Sequence, residues 1–290
     1  LLVVFATACW ASLGILGKLA FAQGIGPQTL VAVRAGLAVT IAVAVMSIAN
    51  RRVLRPPRRS LMLFVLLGLA ASANYSLFFQ SVVRLSVGAS ISIFYLYPVL
   101  VTIIARFALH EQFTPTKWAA LFVAVIGCVL VSGAWQDAAG FSLVGGLYAF
   151  GAAFSNAAYT VLMKFALREH PPARIIVFSL LFALPVLFVL ALLSGEQTPS
   201  FTSLSLWWLI ILLAIFPTLS GYYLFAMAMR RIEASRASII GTLEPLLATL
   251  IAFVVLNERL LPLQLLGMLC IIVGAALAQW RRVASPIEDS

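Results

Sequence analysis

The chain has 290 residues, of which 63% are apolar and only 10% charged, and its mean hydropathy is +1.10. A water-soluble fold covers its surface with about a quarter charged residues, so an ordinary soluble domain is excluded and lipid is the main solvent. The excess of 19 basic over 9 acidic residues gives a net charge of +10, but the basic residues flank apolar runs without forming a basic face, which argues against a nucleic-acid partner.

Taken in chain order, apolar runs fall at about 1–21, 28–49, 60–82, 87–108, 116–133, 141–165, 174–193, 206–229, 236–256 and 263–280. A bilayer crossing takes roughly 20 apolar residues and must satisfy its backbone internally, so each run predicts one transmembrane helix. The expected fold class is therefore an all-α polytopic membrane protein of ten transmembrane helices. The first run contains Trp10 and Lys18 and has no charged leader, so it reads as a retained span and not as a signal peptide. Cys9, Cys128 and Cys270 are odd in number, far apart and set in apolar runs, a pattern of packing residues that indicates neither disulfides nor a metal site.

Basic residues orient the helices. Arg51, Arg52, Arg55, Arg58, Arg59, Arg106, Lys117, Lys164, Arg168, Arg174, Arg230, Arg231, Arg236, Arg281 and Arg282 all fall on one side, against Arg84 and Arg259 on the other. The rich side is expected to be cytoplasmic, with both termini inside.

The chain also repeats itself. A shift of 147 positions superposes residues 75–127 on 222–274 without a gap and with fifteen identities. Among them are Tyr75 with Tyr222, Arg84 with Arg231, Pro98 with Pro245, Glu111 with Glu258, Pro115 with Pro262 and Gly127 with Gly274. Lys18 precedes Lys164 by nearly the same offset. The unit then has five spans, and an odd number forces the second copy to enter from the opposite side, giving two inverted repeats about an axis in the membrane plane. The expected domains are 1–135, 136–282 and a cytoplasmic tail, 283–290. Inversion suits alternating access, because two similar halves can exchange conformations; the bland reading is a duplication used only for packing.

Ten spans in a five-plus-five arrangement, with Pro98 and Glu111 in one half and Glu244, Pro245 and Glu258 in the other, resemble the drug/metabolite transporter superfamily, EamA type. The aromatic-rich middle is similar to that of YddG-type bacterial amino-acid exporters. The resemblance implies a central cavity lined mainly by spans one, three, four, six, eight and nine, and export of small metabolites. Carried onto this sequence, it points to Trp10, Tyr75, Phe79, Tyr97, Tyr159, Tyr222 and Glu244 as substrate-binding candidates. Tyr97 stands before Pro98 where Glu244 stands before Pro245, so the halves differ in chemistry at that level.

A carboxylate inside a span is expensive and faces a cavity or a partner, which makes Glu244 the first candidate. Its guest is either a substrate ammonium or a proton; the structural alternative is a protonated brace bonding into the helix break at Pro245. Lys18 and Arg34, also within spans, suit a substrate carboxylate, or else snorkel to headgroups or pair with backbone. Tyr75, Phe78 and Phe79 share a helical face, whereas Tyr95 and Tyr97 cannot share theirs. Tyr97, aligned with Glu244, is then the cavity residue. Aromatic faces hold apolar groups and cations, though most aromatics in membrane proteins serve packing or the interfacial belt. Asn74 and Asn156 read as interhelical glue, Pro98 and Pro245 as bending points, and Glu111 and Glu258 as interfacial salt-pairing residues.

The reading is an inner-membrane carrier, not an enzyme, that exports small amphipathic metabolites, amino acids including aromatic ones among them. The alternatives are a multidrug or nucleotide-sugar carrier, or a polytopic membrane enzyme. The partners are a small-molecule substrate, the lipid bilayer and, if Glu244 titrates, protons; no cofactor is expected.

Overall fold

A computed structural model describes residues 1–112, 114–134, 142–196, 203–256 and 260–279, with the side chain of Leu256 excepted. The expectations for Glu258, Arg259, Arg281, Arg282 and the tail 283–290 therefore lie outside the described residues, which contain helices and no strand.

The helices are α1 (Leu2–Phe21), α2 (Pro27–Ala49), α3 (Leu61–Val82), α4 (Val87–Phe94), α5 (Tyr97–Ala108), α6 (Pro115–Ser132), α7 (Leu143–Ala166), α8 (Pro172–Leu193), α9 (Leu204–Leu213), α10 (Gly221–Met229), α11 (Ala234–Gly241), α12 (Leu243–Leu256) and α13 (Pro262–Gln279). Their starts follow local chemistry. Pro opens α2, α6 and α8, where its missing N–H costs nothing. Ser86, Thr114, Ser142 and Ser203 accept from the amides of Ala89, Lys117, Gly145 and Leu206 as side-chain caps.

Among the described residues, nine helical stretches are long and apolar enough to cross a membrane: the helices α1, α2, α3, α6, α8 and α13, and the composite stretches Val87–Ala108, Leu204–Met229 and Ala234–Val255. The run predicted at 141–165 forms α7, which has the length, 24 residues, but carries Gly145, Gly146, Gly151, Ser155, Asn156 and Thr160. It is packed against α3, α4, α5, α10 and α11. Its small and polar residues are buried or half-buried against those helices, while Leu143, Leu147, Phe150 and Phe154 are exposed, so one face alone carries the apolar exterior that lipid demands.

Three predicted spans are not continuous. Proline deprives the residue four positions back of its amide partner, and the chain breaks at Tyr95–Leu96, ahead of Pro98, and at Thr242, ahead of Pro245. Thr102 Oγ1 donates to Pro98 O at 2.7 Å and Thr249 Oγ1 to Pro245 O at 2.8 Å. Between α9 and α10 a π-helical segment, Ala214–Ser220, contains Pro217. Leu213 O, which a proline at 217 leaves unpaired, accepts instead from Thr218 Oγ1 at 2.8 Å.

The exterior is apolar. Ile48, Met62, Phe107, Phe122, Leu143, Phe188, Trp208 and Val254 are large and exposed, as expected where the surroundings are acyl chains. Inside, small residues let the backbones meet: α6 lies along α13, with Gly127 against Gly267 and Ala120 against Gly274. Other close pairs are α3 with α7 and α8, α1 with α10 and α12, and α2 with α8.

Candidate functional site

The predicted site residues fall into two aromatic groups. In the first, Tyr75 of α3 donates its hydroxyl to that of Tyr222 of α10 at 2.7 Å. Tyr222 is packed edge-on against Trp10 of α1, with centroids 5.3 Å apart, and against Tyr159 of α7 at 5.6 Å. Tyr159 is buried and within 3.3 Å of Ser179 Oγ. Trp10 fits because residue 221 is glycine: a Cβ there would lie 2.6 Å from the indole Nε1. Four of the seven predicted residues, Trp10, Tyr75, Tyr159 and Tyr222, are thus brought together from four helices.

The other three belong to the second group, at the break between α4 and α5. Phe79 is packed on Phe78, Phe78 on Phe94 and Phe94 on Tyr97, with centroids 6.3, 5.3 and 5.5 Å apart. Tyr97 is 4% exposed, and its hydroxyl reaches Ser238 O at 3.4 Å, over the glycine at 241. Glu244, in the first turn of α12, is half-buried and lies beside Tyr95.

Three expectations need correcting, for Tyr97, Arg34 and Glu111. Tyr95 and Tyr97 were expected to face apart, with Tyr97 the one to line the cavity; their rings instead lie 5.9 Å apart, and Tyr95 too lies beside Glu244. The angle argument assumes a continuous helix, and the helix ends at Phe94 and restarts at Tyr97. Pro98 was the signal that could have found this. Arg34, expected to meet a substrate carboxylate or else to pair with backbone or lipid, is 4% exposed, with its guanidinium carbon 5.0 Å from the centroid of the Tyr75 ring.

The small-polar and charged residues also resolve. Asn74 Nδ2 reaches Asn156 Oδ1 at 3.5 Å, linking α3 to α7. Lys164 Nζ donates to Met229 O and to Ile232 O. Glu111 was expected to salt-pair; it caps α11 instead, accepting from Ala234 N at 2.7 Å and from the amide and hydroxyl of Ser235. Buried and acceptor-only, it is stabilised by the unpaired amides of a helix N-terminus. The ion pairing beside it is done by Glu233, 2.7 Å from Lys117 Nζ and 2.8 Å from Arg236 Nε.

A groove of about 600 Å³ runs between α2 and α8, lined by Thr29, Ala32, Gly36, Leu184, Phe188 and Leu192 among others. None of the predicted site residues lines it. Among the described residues no group of three or more His, Cys, Asp or Glu side chains is placed to hold a metal ion.

The profile of the EamA-like transporter family matches residues 1–133 and 143–280. The chain belongs to the EamA-like transporter family. As an EamA protein it is a membrane transporter by family. It is similar to the threonine/homoserine exporter RhtA of Escherichia coli (strain K12), with 27% identity over 256 residues, 87% of this chain and 81% of that protein. A riboflavin transporter of Brucella anthropi is 29% identical over 128 residues, 43% of this chain and 44% of that protein. A crystal structure of a protein 21% identical superposes with a TM-score of 0.80 over 96% of this chain and 95% of that one, so the two share a fold.

Proposed function

We propose that this EamA protein is an inner-membrane carrier that exports small amphipathic metabolites, amino acids among them, by alternating access through ten spans arranged as two inverted repeats, residues 1–135 and 136–282. The rich basic flanks put both termini in the cytoplasm, and α7 serves as the least apolar of the ten crossings.

The observation that carries this reading is the Tyr75–Tyr222 hydrogen bond. The two tyrosines are equivalent under the 147-residue repeat, and under a two-fold rotation a residue meets its own copy only on the axis. Contacts off the axis come in reciprocal pairs. Gly127 against Gly267 is matched by Ala120 against Gly274, each residue being replaced by its repeat equivalent. The helix breaks at Tyr95 and Thr242 are separated by the same offset. Such an arrangement supports two halves that can trade conformations, with hinges at Pro98 and Pro245 and the aromatic residues Trp10, Tyr75, Tyr159 and Tyr222 around the axis.

Phe79, Tyr97 and Glu244 form the second wall in this reading. Glu244 takes a substrate ammonium or a proton, with Tyr95 holding the carboxylate while it is empty. Amino-acid cargo is supported by the likeness to RhtA, named as a threonine/homoserine exporter, over most of both chains. A larger aromatic metabolite is the second reading, favoured by the rings of the cluster and by the shorter match to a riboflavin transporter.

The test is counterflow in proteoliposomes with labelled threonine, homoserine, phenylalanine and riboflavin. Uptake of one of them that saturates and is accelerated by the same unlabelled solute inside supports the carrier. Flux rising linearly with concentration and indifferent to internal solute would mark a channel.

A further inference from the structure

We infer that Arg34 and Trp10 form the receptor for a carboxylate group of the transported solute, an inference that rests on reading the Tyr75–Tyr222 cluster as the substrate site. Arg34 is 4% exposed, yet its Nε has no hydrogen-bond partner, and the same is true of the buried Trp10 Nε1. Both groups are donors that cannot accept, so neither can satisfy the other. The two border a bonded pair of tyrosines: the Trp10 ring is 5.3 Å from that of Tyr222, and Arg34 lies over Tyr75, whose hydroxyl bonds Tyr222. The ion pairs among the described residues join Lys117 and Arg236 to Glu233, and neither includes Arg34.

An arginine cation inside a membrane protein costs several kcal/mol unless it is paired. The face of Tyr75 offsets part of that cost, but it supplies no acceptor for Nε. What the site lacks is a small anion with several lone pairs. A carboxylate supplies two oxygens for the planar guanidinium fork and a lone pair for the indole N–H. The aromatic rings around it suit an apolar or aromatic body attached to that carboxylate. Glu244, in the other group, is left for a cation.

The experiment measures binding and transport separately. Detergent-purified protein is titrated with 3-phenylpropionate and with phenethylamine, which share a ring and differ in the charged group, following indole fluorescence and melting temperature. The wild type should bind the carboxylate, and Arg34→Gln should weaken it about tenfold or more, the loss of a charge-assisted pair, while leaving the amine unchanged. Arg34→Lys keeps the charge and loses the fork, so it should weaken the carboxylate several-fold even if the glutamine variant does not fold. Equal carboxylate binding by wild type and Arg34→Lys overturns the inference. So does an equal loss of acid and amine in a folded Arg34→Gln protein, which would mark a structural role, and so does stabilisation by chloride with none by 3-phenylpropionate. If the carboxylate binds through Arg34 but none of the counterflow solutes is carried, the receptor stands and the amino-acid reading fails. If amino acids are carried with unchanged KM by the Arg34 variants, the transport reading stands and the receptor fails.

Discussion

The backbones of Gly127 and Gly267 touch: a Cβ built on Gly127 would lie 2.7 Å from the carbonyl oxygen of Gly267, and one built on Gly267 would lie 2.8 Å from that of Gly127. Beside Gly127 the obstruction includes the main-chain atoms Gly267 O and Ile271 N, so moving the Ile271 side chain alone cannot make room. Gly127→Ala should therefore separate α6 from α13 and cost about 1–3 kcal/mol, as overpacking of a tight contact does, with Gly127→Val worse. A lowered melting temperature in detergent is the expected result, and an unshifted melt for the valine variant would contradict the close approach.

Removing the Glu111 carboxylate should loosen the start of α11. Its oxygens satisfy two amides and a hydroxyl at once. Glu111→Ala leaves those donors buried without an acceptor, a loss on the order of 2 kcal/mol. Hydrogen exchange at Ala234 and Ser235 should accelerate, while exchange in α13 stays as it was.

The Tyr95–Glu244 contact predicts a shared phenotype. Glu244→Gln should slow counterflow by about tenfold or more, the scale of losing a charge-assisted hydrogen bond, with fold and melting temperature retained. Tyr95→Phe should change the same transport parameter in the same direction, and Glu244→Gln should add little on top of it. Two independent, additive losses would mean that the residues do not act on each other.

His170 makes stability depend on pH. It sits in the turn between α7 and α8, with Nε2 2.9 Å from Ser60 Oγ and Nδ1 3.5 Å from Arg174 Nη1. Burial and then the Arg174 charge push its pKa below the ordinary histidine value, against a smaller opposing pull from Glu169. The unfolded chain then binds the proton more readily. The contribution of His170 is fully present above the unfolded value of about 6.5 and is lost as pH falls below it. Between about pH 7.5 and 5.5 the wild type should lose more melting temperature than His170→Gln, and parallel losses would remove His170 as the cause.

Much of this protein was legible as a string. Lipid as solvent, the positions of the apolar runs, the duplicated Pro98 and Pro245 and the 147-residue offset are properties of composition and order along the chain, and hydrocarbon leaves helices as the only local solution for such runs. Four of the seven candidate residues did meet. One misplacement has a local cause: a face assigned by counting 100° per residue fails where a proline stops the helix, and so the rings of Tyr95 and Tyr97 came together.

What only the tertiary structure decided is which polar groups are satisfied by neighbours from distant segments. No local rule tells Glu111 to cap a helix that begins 123 residues later, or Arg34 to settle on the ring of Tyr75 and not in the headgroups. The sequence by itself determined which stretches are apolar enough to cross lipid, because that depends on the transfer energy of each run. The packing of helix against helix determined which charges are paired and which are left waiting, because that depends on side chains the chain order keeps far apart.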